Sequence, residues 1–218
     1  MTMDIERARF NMVEQQVRTW EVLDQQVLDL MFSVRREEFV PPAHRLLAFA
    51  DLELPLPEGE RMWTPKMEAR VVQDLLLSPG DDVLEIGTGS GYLAALMATL
   101  GAKVHSVEIV PALAAMARRN LERAGVTGVT LATGDGARGF GNGEYDAIVL
   151  TGSVPFLDQA FLRQLKPGGR VFAVVGTAPV MKARIVRWAD ASSFVTSDRF
   201  ETVIAPLRNV VQPARFAL

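Results

Sequence analysis

From Asp82 onward, short apolar runs alternate with stretches of helical period. Val83-Leu84-Glu85-Ile86 has the length of a strand and runs into a glycine-rich turn. Tyr92 to Leu100 carries a helical pattern, and Lys103 to Glu108 reads as a second strand. Pro111 suits a helix start, because the N–H it lacks has no helical partner there. Leu113, Met116, Ala117 and Leu121 supply that helix's inner face. Val129-Thr130-Leu131 is a third strand. Tyr145 to Leu150, nearly all apolar, suits a strand covered on both faces. Leu157, Phe161, Leu162 and Leu165 mark another helix, which Pro167-Gly168-Gly169 breaks before a fifth strand from Arg170 to Val175. Lys182 to Trp188 and Phe200 to Ala205 read as two last strands in a hairpin. Alternating β and α units predict right-handed crossovers and a mostly parallel sheet flanked by helices.

The chain before Arg61 is patterned differently. Phe10, Val13 and Val17 fall on one helical face. Val27, Leu28, Leu30 and Met31 indicate a second helix with Asp24 as its N-cap. A proline-punctuated stretch runs from Pro41 to Pro57. Met67, Val71, Val72, Leu75 and Leu76 then form an apolar stripe that ends at Ser78-Pro79-Gly80. The expected organisation is one domain over 1–218, with N-terminal helices and a loop in 1–78 and a Rossmann-like core in 79–218.

Composition narrows the chemistry. The 218 residues are 49% hydrophobic and 22% charged, the balance of a globular protein. A formal net charge of −3 gives no global case for nucleic acid, so none is expected as partner. The absence of cysteine removes disulfides, thiolate metal sites and Cys nucleophiles. Two histidines, His44 and His105, are too few for a His-rich zinc site, and no metal is expected. Met1 to Phe10 is polar and charged, and no run approaches the ~18 apolar residues of a spanning helix. A cytoplasmic protein without a membrane partner is the expectation.

The sharpest feature is Glu85-Ile86-Gly87-Thr88-Gly89-Ser90-Gly91, after a strand and before a helix. Glycines there let the backbone turn tightly and approach a ligand. A dinucleotide fingerprint needs G-x-G-x-x-G. Counting from Gly87, the sixth position is Tyr92, which disfavours a nicotinamide dehydrogenase. A carboxylate at Glu85 sits awkwardly against a pyrophosphate but suits a cationic sulfonium ligand and its amino group. Glu108, with Ile109 beside it, ends the second strand, where a carboxylate can accept both ribose hydroxyls. Gly134-Asp135-Gly136 follows the third strand, where Asp135 can accept from an adenine amino group while Gly136 faces the ring. Each site has a plainer alternative: a structural turn at the glycines, a solvated strand-end acid at Glu108, an ordinary Gly-Asp-Gly turn at Asp135. All three follow successive strands, at the ends where open α/β sheets bind ligands.

The order of these segments, with Asp146-Ala147-Ile148-Val149-Leu150 and Leu165-Lys166-Pro167-Gly168-Gly169, resembles class I S-adenosylmethionine-dependent methyltransferases. More narrowly, the chain resembles the protein-L-isoaspartate O-methyltransferase family. Asn11-Met12-Val13-Glu14-Gln15-Gln16-Val17 is similar to that family's opening helix. Val34-Arg35-Arg36-Glu37-Glu38-Phe39-Val40-Pro41 is similar to its V-P-R-E-x-F-V-P segment, with Arg35 in place of proline. Ala50-Asp51 and Leu54-Pro55-Leu56 are similar to its next stretch. The resemblance implies a seven-stranded α/β architecture with an N-terminal helical extension and S-adenosylmethionine as cofactor. The implied cofactor site is Glu85, Gly87, Thr88, Gly89, Ser90, Glu108, Ile109, Asp135 and Gly136. The implied substrate is an isoaspartyl-containing protein or peptide.

One loop departs from that pattern. The family's G-Q-T-I-S-x-P-x-M is here Gly59-Glu60-Arg61-Met62-Trp63-Thr64-Pro65-Lys66-Met67, so Trp63 stands where the family has its acceptor-side serine. Thr64, one place later, offers a hydroxyl to the acceptor only if the loop is reshaped. Trp63 and Thr64 are thus the candidate catalytic positions, with loop packing as the plainer account of Trp63. Two other functions stay open: methyl transfer to a different acceptor, and cofactor binding without turnover.

Overall fold

The computed structural model describes residues 4–190 and 193–213. Helix α1 (Ile5–Met12) continues through a π-helical turn at Val13–Val17. Helix α2 (Gln25–Ser33) starts where the sequence predicts, with the Asp24 carboxylate accepting from the Gln26 amide at 2.8 Å. Strands β1 (Leu54–Pro55) and β2 (Arg61–Met62) pair antiparallel, and helix α3 (Pro65–Leu75) follows. The remaining elements are β3 (Asp82–Ile86), α4 (Tyr92–Thr99), β4 (Lys103–Glu108), α5 (Pro111–Arg123), β5 (Val129–Thr133), β6 (Tyr145–Leu150), α6 (Gln159–Leu162), β7 (Leu165–Thr177), β8 (Val180–Asp190) and β9 (Ser193–Glu201). Among the described residues no helix is long and apolar enough to cross a membrane.

The seven strands β3–β9 form one sheet in the order β5-β4-β3-β6-β7-β8-β9. Pairing is parallel from β5 to β7 and antiparallel in the β7-β8-β9 meander. The fold is therefore α/β with a mostly parallel sheet, as the alternation predicts. The chain leaves β3 towards β4 on one side and returns to β6 on the other. A crevice opens at such a switch point, beyond the carboxyl ends of the strands.

The apolar patterns find their partners on the two faces of this sheet. Val83, Val104, Ala147, Val149 and Phe172 pack with α2, α3 and α4, and Leu84, Ile148, Leu150 and Val171 pack on the opposite face with Phe161. Met67, Val71, Val72 and Leu75 are buried as a stripe. Leu76 is not part of it. It takes a left-handed backbone at the helix end and is 65% exposed.

Three further expectations need correction. Phe10 does not share the buried face of Val13 and Val17 but is 55% exposed. The buried arc is centred on Arg9, Met12 and Val13, drawn inward by the Arg9–Glu37 ion pair, and Phe10 lies off its edge. Pro167-Gly168-Gly169 does not separate helix from strand. It forms an irregularity inside β7, where the register against β6 shifts between Tyr145 and Ala147. A Cβ on Gly169 would lie 2.8 Å from the Lys166 carbonyl oxygen, so the crossing tolerates only glycine. Helix α6 correspondingly stops at Leu162, and Leu165 begins the strand. The last strand is Ser193–Glu201 rather than Phe200 to Ala205, because hairpin pairing with β8 sets Phe200 opposite Ala183 and the chain then turns away toward Ser153.

Candidate functional site

The turn after β3 is built from backbone constraints. Gly87 has φ 96°, and a Cβ there would fall 2.1 Å from Thr151 Oγ1. That hydroxyl, at the end of β6, donates to the Gly87 carbonyl at 2.7 Å and the Ile86 carbonyl at 2.9 Å. The Gly87 amide donates to the Val107 carbonyl at 2.8 Å. The turn is thus pinned between β4 and β6 before any ligand arrives. Gly89 donates its amide to Glu108 Oε2 at 2.8 Å, and Val110 donates to Glu108 Oε1 at 2.9 Å.

A cleft of about 830 Å³, open mouth included, lies above this turn. Glu85, Gly87, Thr88, Gly89, Ser90, Glu108, Ile109 and Trp63 all line it. Asp135 and Gly136 line an adjoining recess that shares Gly87, Ile109, Leu207 and Arg208 with the cleft. The Asp135 carboxylate accepts from the Ala137 amide and the Asn209 side chain, each at 2.9 Å. Thr64 is the exception among the predicted positions. It does not line the cleft; its hydroxyl caps α3, accepting from the Met67 amide at 3.4 Å.

Two more buried acids, besides Glu108, face the cleft. Glu85 is fully buried at the end of β3. Its Oε2 accepts from the Ser106 hydroxyl, and Thr88 Oγ1 lies 2.6 Å from Ser106 Oγ. Among the described residues its Oε1 has no hydrogen-bond partner. Burial pushes the Glu85 carboxyl up to about 8; the Ser106 hydrogen bond opposes the rise, and Glu108 and Glu68 add to it. Glu68, on α3, is pushed up to about 7 by burial, with Arg36 opposing. Arg36 donates Nε to Glu68 at 3.0 Å, Nη1 to the Ala48 carbonyl at 3.1 Å, and Nη2 to the Trp63 carbonyl. One buried guanidinium therefore ties the N-terminal helices, α3 and the departing loop together.

Trp63 is 7% exposed, and its ring meets Phe172 edge-on with centroids 6.2 Å apart. It is a wall of the cleft anchored in the core. The other wall is a strap, residues 205–209. It pairs with Ser153 through Ser153 N–Ala205 O (2.9 Å) and Leu207 N–Ser153 O (3.0 Å). Arg208 then reaches Glu60 at 2.6 Å and the Glu58 carbonyl at 3.2 Å, while Asn209 reaches Asp135. The sequence reading missed Glu68, Arg36, Thr151 and the strap. Glu68 precedes Val72 and Leu75 at i+4 and i+7, spacing that sets it on the buried face of α3. The strap carries no local signal, since its partners lie far away in sequence.

The family model described as "Protein-L-isoaspartate(D-aspartate) O-methyltransferase" matches residues 7–211. Among curated relatives, the protein-L-isoaspartate O-methyltransferase of Methanoculleus marisnigri is 46% identical over 171 residues, 78% of each chain. That of Gloeobacter violaceus is 38% identical over 197 residues, 90% of this chain and 96% of the relative. A solved protein-L-isoaspartate O-methyltransferase superposes with TM-score 0.77 at 26% identity, covering 93% of this chain and 65% of that one. A Plasmodium falciparum structure described as a putative member, in complex with S-adenosyl-L-homocysteine, shares the fold at TM-score 0.77 and 17% identity over 95% of this chain and 99% of that one.

Proposed function

The chain belongs to the protein-L-isoaspartate O-methyltransferase family, and from that premise we propose that its cleft brings S-adenosylmethionine to the carboxylate of an isoaspartyl residue. The buried, unpartnered Oε1 of Glu85 carries the assignment. A buried polar atom without a partner is costly, and a carboxylate lifted by burial is returned to its ionised form by a bound cation. An amino group beside a sulfonium meets that need; a pyrophosphate does not. Glu108 would accept from the ribose hydroxyls and Asp135 from the adenine amino group, with Gly136 and Ile109 against the ring. Gly87, Thr88, Gly89 and Ser90 shape the floor.

S-adenosylmethionine supplies a methyl group activated on sulfur. The chain's own residues position and exclude. The isoaspartyl carboxylate is a nucleophile near neutral pH, so no strong general base is needed. Alignment and exclusion of water are the protein's task. Trp63 and the strap would wall the acceptor side, and Thr64 would act only by capping α3. The segment before Pro79, joined by the strap, would furnish the acceptor side, and the remainder the donor side, of one unit. Its substrates would be isoaspartyl-containing proteins or peptides of the cytoplasm. The burial of Trp63 at the place of the family's serine favours a second reading, methyl transfer to a different acceptor.

One assay tests both: methyl-labelled donor is incubated with an isoaspartyl peptide beside its aspartyl twin. Transfer to the isoaspartyl form alone is expected. Donor binding without transfer to either peptide overturns the isoaspartyl assignment.

A further inference from the structure

Resting on the isoaspartyl assignment above, we infer that Arg61 receives the carboxylate of the methyl acceptor at the mouth of the cleft. Five glutamates line this cavity, Glu53, Glu60, Glu68, Glu85 and Glu108, against two cations, Arg61 and Arg208. An anionic acceptor entering such a cavity needs a positive group that is not already engaged. Arg208 is engaged, ion-paired with Glu60 and bonded to the Glu58 carbonyl. Arg36 lies behind the wall, with Glu68 and two carbonyls as partners.

Arg61 is different. Its side chain makes no ion pair or hydrogen bond among the described residues. It sits on β2, where alternation turns Met62 into the core and Arg61 outward. Pairing with Pro55 of β1 fixes the backbone beneath it. Arg61 acts on Glu53, whose carboxyl burial pushes up while the guanidinium opposes the rise. The two therefore share one field without forming a salt bridge. A guanidinium offers a planar fork of N–H donors that matches a carboxylate in two parallel bonds. This charge selects a feature of the acceptor itself, its free carboxylate. It replaces by ion pairing what the loop lacks at Trp63, where the resembling family places a hydroxyl.

The test is steady-state methylation of an isoaspartyl peptide by wild type, Arg61→Gln and Arg61→Lys, with calorimetric titration of S-adenosylmethionine on each. Arg61→Gln is expected to raise KM for the peptide roughly tenfold, the loss of one charged hydrogen-bond pair. Turnover number should stay within about twofold, and donor affinity should be unchanged. Arg61→Lys should recover part of the loss, since it keeps the charge and loses the fork. Added salt should raise KM in wild type and much less in Arg61→Gln. If wild type methylates the peptide and Arg61→Gln keeps its KM within about twofold, the Arg61 assignment is wrong and the isoaspartyl assignment stands. If wild type binds the donor and methylates no isoaspartyl peptide, the isoaspartyl assignment fails and this inference with it.

Discussion

The Gly89 amide and Glu108 Oε2 are joined at 2.8 Å, a bond that ties the glycine turn after β3 to the end of β4. With Val110 on its other oxygen, Glu108 organises the turn as well as facing the cleft. Each carboxylate oxygen keeps a second lone pair for a ligand hydroxyl. Glu108→Ala is expected to weaken S-adenosylmethionine binding by about 1.5–3 kcal/mol, the loss of a charged hydrogen bond. Calorimetric titration measures it. Unchanged affinity in a folded Glu108→Ala protein removes this residue from the site.

Asp135 is exposed, in a turn held by Ala137 and Asn209. Asp135→Ala should lower donor affinity with little change in the thermal midpoint, because surface substitutions usually move stability by ~0.5 kcal/mol or less. Asn209→Ala is the control, since it frees the carboxylate without deleting it. Should Asp135→Ala bind the donor as wild type does, the Gly134-Asp135-Gly136 segment is only a turn.

Trp63 is anchored against Phe172 rather than loose in the loop. Trp63→Ser should therefore cost ~3–5 kcal/mol of stability, the range for emptying a large aromatic site. Trp63→Phe should retain most of it. Urea unfolding of the three proteins gives the comparison. A serine variant as stable as wild type would show that the wall does not depend on the indole.

Glu85 and Glu68 predict a pH dependence with a definite sign. Both carboxyls are raised by burial from 4.5, to about 8 and about 7. The folded chain therefore holds protons that the unfolded chain releases. The contribution to stability is complete below about pH 4.5 and is lost as pH rises through the folded values. Glu85→Gln should flatten the upper part of that decline. Urea titrations at a series of pH values between about 5 and 8 would show it, and parallel declines in wild type and variant would exclude Glu85 as a source.

The strands and helices were legible because each carries a period that survives in one dimension. The turn Glu85–Gly91, Glu108 and Asp135 were legible for a related reason: strand ends in an open α/β sheet face one crevice, so sequence order maps onto space. What escaped depends on partners distant along the chain. Arg9 takes the buried place expected of Phe10 because its acid is Glu37. Pro167-Gly168-Gly169 reads as a helix breaker until β6 is beside it. Thr64 reads as a free hydroxyl until α3 needs a cap. Glu68 was within reach, since its spacing to Val72 and Leu75 sets it on the inward face.

The strap from Ala205 to Asn209 also makes the cleft sensitive to trimming. Every strand of the large sheet is complete by Glu201, so the sheet does not need the strap to be whole. Arg208 and Asn209 join Glu60 and Asp135, residues far away along the chain. A protease that cut after β9 would leave every strand in place and remove these two ties. The cleft would then keep its floor and the Trp63 wall but lose its closing side.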